Sequence, residues 1–260
     1  MDLHLRGKRA LITGASKGIG AEVAAVLAEE GCHVRLAARS EQRLVELAAR
    51  LRERHGVEAT THVVDLRSAA DVARLGDEAG DVDILVNNAG DIPGGSLARI
   101  DSAAWRHAWE LKVFGYIDLT RLVYAKMKAR GHGVIINDIG AAGERHDFDY
   151  IAGTTGNAAL MAFTRALGGR SIDDGIRVVG VNPGPVETDR IITLLKTRAK
   201  TQFGDEERYG ELLAKFAGGR AARVREIADA IAFLASDRSA YTSGIIFTID
   251  GGLCARTSVL

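Results

Sequence analysis

Residues 9–20 read Arg-Ala-Leu-Ile-Thr-Gly-Ala-Ser-Lys-Gly-Ile-Gly. A short apolar run, Ala10 to Ile12, ends in Thr13 and Gly14, and Gly18 and Gly20 follow closely. Beyond them Ala21, Val23, Ala24, Val26 and Leu27 recur at the spacing of one helix face. The stretch predicts a strand, a tight turn and a helix N-terminus. Glycines there let the backbone approach a pyrophosphate, and the unpaired N–H groups and positive dipole end of the helix attract it. A glycine-rich turn alone also fits any tight strand-to-helix connection. Its place here, directly after a first strand and before an amphipathic helix, favours the phosphate-binding reading.

Outward from that turn, apolar runs alternate with helical periods along all 260 residues. Strands are expected at Ala10–Thr13, Val34–Ala38, Ala59–Val64, Ile84–Asn87, Val134–Ile139, Arg177–Val181 and Ile245–Ile249. Helices are expected at about 18–30, 41–54, 69–79, 102–130, 150–169 and 224–236. Alternating β and α with continuously apolar strands implies a parallel sheet covered on both faces. The fold class is therefore α/β, a doubly wound Rossmann-type sheet in one domain spanning 1–260. The polar helical stretch at about 189–216 interrupts the alternation and reads as an inserted flap over a substrate.

Lys and Arg together balance Asp and Glu, so the formal net charge is zero. That argues against a nucleic-acid or membrane-surface role driven by bulk charge. No apolar run approaches the ~18 residues of a membrane span, and no signal peptide precedes the first strand. Cys32 and Cys254 lie far apart and form no metal-binding spacing, which fits two free thiols in a reducing cytoplasm. No metal is expected.

The second strand ends Ala37-Ala38-Arg39-Ser40. An acid about 20 residues beyond the glycine turn would hold a ribose 2′-hydroxyl and favour NAD. Ala38 stands there, followed by Arg39. Arg39, with Lys17 in the turn, supplies positive charge for a 2′-phosphate and favours NADP(H) over NAD(H). Arg39 as a plain solvated arginine is the competing reading.

Further on, the fourth strand runs into Asn87-Asn88-Ala89-Gly90, and Asn182-Pro183-Gly184 with Thr188 follows the sixth. Together with Thr13 to Gly20, and with Tyr241-Thr242-Ser243-Gly244 and Asp250-Gly251-Gly252 around the last strand, these motifs resemble the short-chain dehydrogenase/reductase family over nearly the whole chain. The resemblance implies a seven-stranded doubly wound sheet, a nicotinamide dinucleotide, a small-molecule substrate and a homotetramer or homodimer. It places the pyrophosphate on Gly14, Ser16, Lys17, Gly18, Ile19 and Gly20. It places the adenine at Asp65 and Leu66, and the ribose at Asn87, Ala89 and Gly90. The nicotinamide falls at Pro183, Gly184 and Thr188.

The family's Asn, Ser, Tyr and Lys are not all present. Tyr150 matches the tyrosine, and counting four residues on puts the lysine place at Thr154. The serine place reads Gly140 and the asparagine place Lys112. Tyrosine is the family's general acid, and its ordinary pKa of ~10 suits neutral pH poorly without help. Lys112, on a helix expected to pack beside the tyrosine helix, is the candidate replacement charge, reaching towards the space left at Thr154. A lysine turned to solvent is the competing reading. Asp138, inside the fifth strand, is costly to bury unpaired and is expected to meet a base such as Lys112. His146 is a candidate substitute acid/base by residue type but reads as a solvated loop residue. Trp105, Trp109, Phe114 and Tyr116 read as packing, and Gly153, Gly156, Ala158, Ala159 and Ala162 as a subunit interface. Three functions remain in view. One is an NADP(H)-dependent oxidoreductase acting on a carbonyl or alcohol, with Tyr150 and Lys112 as its catalytic pair. Another is a catalytically degenerate relative that binds a dinucleotide as a binding or scaffolding protein. The third is non-redox chemistry on the same scaffold, with Asp138 or Lys112 in new roles.

Overall fold

Each expected strand forms. β1 (Arg9–Thr13), β2 (His33–Ala38), β3 (Ala59–Val63), β4 (Ile84–Asn87), β5 (Gly133–Asp138), β6 (Ile176–Pro183) and β7 (Ile246–Ile249) make one sheet in the order β3-β2-β1-β4-β5-β6-β7. All neighbours are parallel. The computed structural model describes residues 1–256. The helices are α1 (Gly18–Glu29), α2 (Glu41–His55), α3 (Ala69–Glu78), α4 (Ser102–Trp109), α5 (Gly115–Arg130), α6 (Ile151–Ser171), α7 (Asp189–Phe203), α8 (Tyr209–Leu213) and α9 (Val224–Ala235).

Side chains alternate through the sheet with period two. Ala10 and Ile12 of β1, Ile84 and Val86 of β4, and Val134 and Ile136 of β5 join the core under α1, α2 and α9. The residues between them, Leu11, Leu85 and Ile135, join the opposite core under α3 and α5. Both faces are therefore covered, which is why the strands read as unbroken apolar runs. Chain direction across the sheet reverses between β1 and β4, and the crevice at their carboxyl ends is the ligand position of such folds.

Two departures from the sequence reading shape the site. The helix expected at 102–130 is interrupted by a π-helical turn, Glu110–Phe114, between α4 and α5. Lys112 sits in that turn. The helix expected from 150 begins at Ile151, with Tyr150 as its N-cap in a non-helical conformation. The segment 189–216 is helical and carries a small core of its own, Leu195, Ala199 and Leu212. Among the described residues no helix is long and apolar enough to cross a membrane.

Candidate active site

A cleft of about 2300 Å³ runs along the carboxyl ends of the strands. That exceeds the ~300–1,000 Å³ of ordinary small-molecule sites and leaves room for an extended ligand with a second molecule beside it. Its floor is bare backbone. Gly14 and Gly18 have φ of +66° and +59°, where side chains are strained. A Cβ on Gly14 would come within 2.9 Å of the Ala89 Cα, and one on Gly20 would run into Asn88 and the Gly14 carbonyl. Asn88, which the motif reading passed over, staples the turn: its Nδ2 donates to Thr13 O at 2.9 Å and its backbone N–H donates to Thr13 Oγ1 at 2.9 Å.

Gly14, Ser16, Lys17, Gly18, Ile19, Arg39, Leu66, Ala89, Gly90, Pro183, Gly184 and Thr188 all line the cleft. Lys17 and Arg39 make no ion pair or side-chain hydrogen bond among the described residues. Three expected contacts lie elsewhere, the first being Gly20, which is buried against Asn88 and the Gly14 carbonyl. The Asn87 side chain points inside, donating to Thr120 Oγ1 at 3.0 Å and Asn137 Oδ1 at 2.9 Å. The Asp65 carboxylate turns to the Arg67 guanidinium at 2.9 Å. For these two side chains, a nearby polar partner outcompetes an open cleft.

At the end of β5 the chemistry changes. The Lys112 stem crosses Gly90, where a Cβ would meet its Cδ at 2.8 Å. Its ammonium donates to Ile139 O at 2.5 Å. Asp138 is 6% exposed, and its carboxyl has no hydrogen-bond partner among the described residues. Burial pushes the Asp138 pKa up to about 7, against the pull of Lys112. Burial pulls Lys112 down to about 8, with Asp138 opposing and Arg190 adding to the fall. The two feel each other without an ion-pair contact, so the expected pairing is electrostatic only. Gly140 has φ of +125°, a conformation essentially reserved for glycine, so a serine there would be strained. Asn157, 3% exposed, donates from Nδ2 to Gly140 O at 3.2 Å, while its Oδ1 is buried without a partner.

Tyr150 also lines the cleft. Its ring lies across Gly153: a Cβ there would come within 2.0 Å of the ring's Cε1 and Cζ. Its hydroxyl accepts from Arg190 at 2.9 Å.

The sheet order, the glycine cradle and the cleft at the switch point agree with a direct match: the short chain dehydrogenase model covers residues 8–199. The chain belongs to the short-chain dehydrogenase/reductase family. By that membership it is an NAD(P)-dependent oxidoreductase. It is 35% identical to the 3-oxoacyl-(acyl-carrier-protein) reductase FabG of Escherichia coli (strain K12), over 96% of this chain and 99% of that one. The L-sorbose reductase of Gluconobacter frateurii, solved with NADPH and L-sorbose, aligns with a TM-score of 0.91 at 33% identity, covering 99% of this chain and 100% of that one. An NAD+-bound xylitol dehydrogenase aligns at 0.90 and 27% identity, covering 96% and 100%.

Within this family fold, the expected lysine place is corrected. Thr154 does not line the cleft; its hydroxyl accepts from Asp147 N–H at 3.3 Å. The residue of α6 that faces Gly140 is Asn157. Nor does Lys112 extend to Thr154, because Ile139 O and the field of Asp138 draw its ammonium to the β5 end. His146 is exposed on the rim without a hydrogen-bond partner among the described residues. Trp109 packs as expected, its Nε1 donating to Ala152 O at 3.0 Å. Two of the small residues read as interface serve the chain itself: Gly153 admits Tyr150, and Gly156 admits Trp109 and Val113. Sequence reasoning missed Asn88, Asn157 and Arg190. Gly153, a helix-weakening residue one turn before Asn157, was the available signal for the shifted frame.

Proposed function

We propose that this family member is an NADP(H)-dependent oxidoreductase interconverting a carbonyl and an alcohol, with Tyr150 giving and taking the proton. The Tyr150 ring carries the reading, because it lies where a side chain on Gly153 would stand. In this reading the family's tyrosine and lysine places are Gly153 and Asn157, and Tyr150 fills the first from three residues upstream.

The residues present fit a dinucleotide. Bare glycines leave room at the pyrophosphate, with Ser16 and Ile19 between them. The uncommitted Lys17 and Arg39 suit a 2′-phosphate, and the NADPH of the L-sorbose reductase supports that choice over NAD. Leu66, Ala89 and Gly90 would flank the adenosine half, and Pro183, Gly184 and Thr188 the nicotinamide. Asn157 Oδ1 offers a buried acceptor to a hydroxyl. When bound, the nicotinamide supplies or takes a hydride at the carbonyl carbon. Tyr150 moves the matching proton to or from the oxygen. Lys112 sets a positive charge near the reacting end, where negative charge develops on oxygen. Segment 189–216 would cover the substrate. Exposed Phe114 and Leu122, with Ala159 and Ala162 on α6, support a homodimer or homotetramer.

The test is calorimetric titration with NADPH and NADP+, then turnover on a panel of carbonyls and alcohols. Binding with turnover, lost in Tyr150→Phe and reduced in Lys112→Ala, is the expected result. Binding without turnover on any substrate would overturn the catalytic reading and leave a dinucleotide-binding protein.

A further inference from the structure

Tyr150 has lost the usual neighbours of a catalytic tyrosine. No lysine follows it by four residues, the serine place is glycine, and Lys112 is committed to Ile139 O. One cation touches its hydroxyl among the described residues, and it comes from outside the β5–α6 region. Arg190, in the first turn of α7, donates from one terminal nitrogen to Tyr150 Oη at 2.9 Å and to Ile92 O at 2.6 Å. That nitrogen carries two hydrogens, so each has a partner. The guanidinium also stands 5.9 Å from the centre of the Tyr150 ring.

We infer that Arg190 is the positioning residue for Tyr150, holding the phenol oxygen as an acceptor so that its own proton faces the cleft. The inference rests on the proposed function. A guanidinium has donors and no acceptor, so the phenol oxygen must accept. Among the described residues nothing accepts the Tyr150 proton, which leaves it for a substrate oxygen. During reduction the Tyr150 O–H bond breaks and an O–H bond forms on the former carbonyl oxygen. The electron pair stays on the phenolate, where the contact with Arg190 becomes a charge-assisted hydrogen bond. Because Arg190 belongs to α7, this support arrives with the segment that covers the substrate. Ile92, on the loop after β4, fixes the other side of the clamp.

Two readouts test the clamp. The protein is labelled with ¹³C at tyrosine Cζ, which gives five positions, and Tyr150 is assigned by its loss in Tyr150→Phe. The Tyr150 resonance is expected to move in Arg190→Gln while the other four stay. Millimolar guanidinium is expected to move it back in Arg190→Ala. An unmoved resonance in Arg190→Gln would overturn the inference, whether or not the protein turns over. The second readout is NADPH oxidation with a carbonyl that the wild type reduces. Arg190→Gln should lower kcat about tenfold to a hundredfold with KM for NADPH unchanged, with partial recovery in Arg190→Lys and in Arg190→Ala plus guanidinium. A loss confined to KM for NADPH, or no loss, would overturn it. A wild type without turnover, paired with a Tyr150 resonance that responds to Arg190→Gln, would overturn the proposed function and leave the contact standing.

Discussion

The two ends of the cleft are built by different means. At the β1–β4 end, the cleft surface is backbone at Gly14 and Gly18, with Gly20 buried and Asn88 bracing Thr13. At the β5–α6 end, the surface is side chains, among them Lys112, Asp138, Tyr150 and Asn157. In the proposed reading Lys112 stands for an asparagine and Gly140 for a serine, and the Tyr150 ring lies over Gly153. Backbone sites tolerate little change: a Cβ on Gly14 or Gly20 collides with Asn88 and nearby main chain, and Gly18 is held at a positive φ. Side-chain sites tolerate relocation, because an ammonium or phenol can reach one point from several origins.

The sharpest way to break this contrast is Gly153→Ala. In an ordinary helix interior alanine would stabilise by about 1 kcal/mol. Here the new Cβ needs the space of the Tyr150 ring. Turnover is expected to fall about as far as in Tyr150→Phe, on the order of a hundredfold or more, with NADPH affinity kept. Steady-state kinetics with calorimetry checks both halves; an active Gly153→Ala enzyme would show that the ring has no special place.

A smaller effect sharpens the backbone end. Arg39→Asp should weaken NADPH about tenfold to a hundredfold and raise preference for NADH, measured by fluorescence titration of both. Unchanged preference would remove Arg39 from the 2′-phosphate site.

The gentlest test separates the buried pair from bulk charge. Asp138 has its pKa raised from 3.8 to about 7, so between those values the folded state holds more protons than the unfolded one. Stability must therefore fall as pH rises through that window. Lys112 is lowered from 10.5 to about 8, so the unfolded state holds more protons there and stability must recover as pH rises from 8 towards 10.5. Tm against pH, taken relative to the Lys112→Met/Asp138→Asn double variant, should show a dip centred between pH 7 and 8. A flat difference would mean the pair is solvated.

The same contrast explains what the sequence made legible. Strands and the glycine turn follow from local periodicity and backbone geometry, and all seven strands formed within a few residues of their expected ends. The cleft-lining glycines, Lys17 and Arg39 were legible for the same reason. Counting four residues from Tyr150 failed because Tyr150 precedes α6 as its N-cap, which put Thr154 against Asp147 and Asn157 against Gly140. The Asn87 and Asp65 side chains were claimed by Thr120, Asn137 and Arg67, partners that no motif encodes. Arg190 meets Tyr150 across 40 residues of chain, a contact that only the fold creates.

The central claim is that Tyr150 reaches the reacting end from a displaced origin. A crystal structure with NADP+ bound tests it most directly. The account predicts the Tyr150 ring over Gly153, with its hydroxyl close enough to the nicotinamide C4 for a carbonyl to bridge them, about 3–3.5 Å from the place of the reacting oxygen. A hydroxyl turned away from the nicotinamide, with Lys112 alone facing it, would contradict the account.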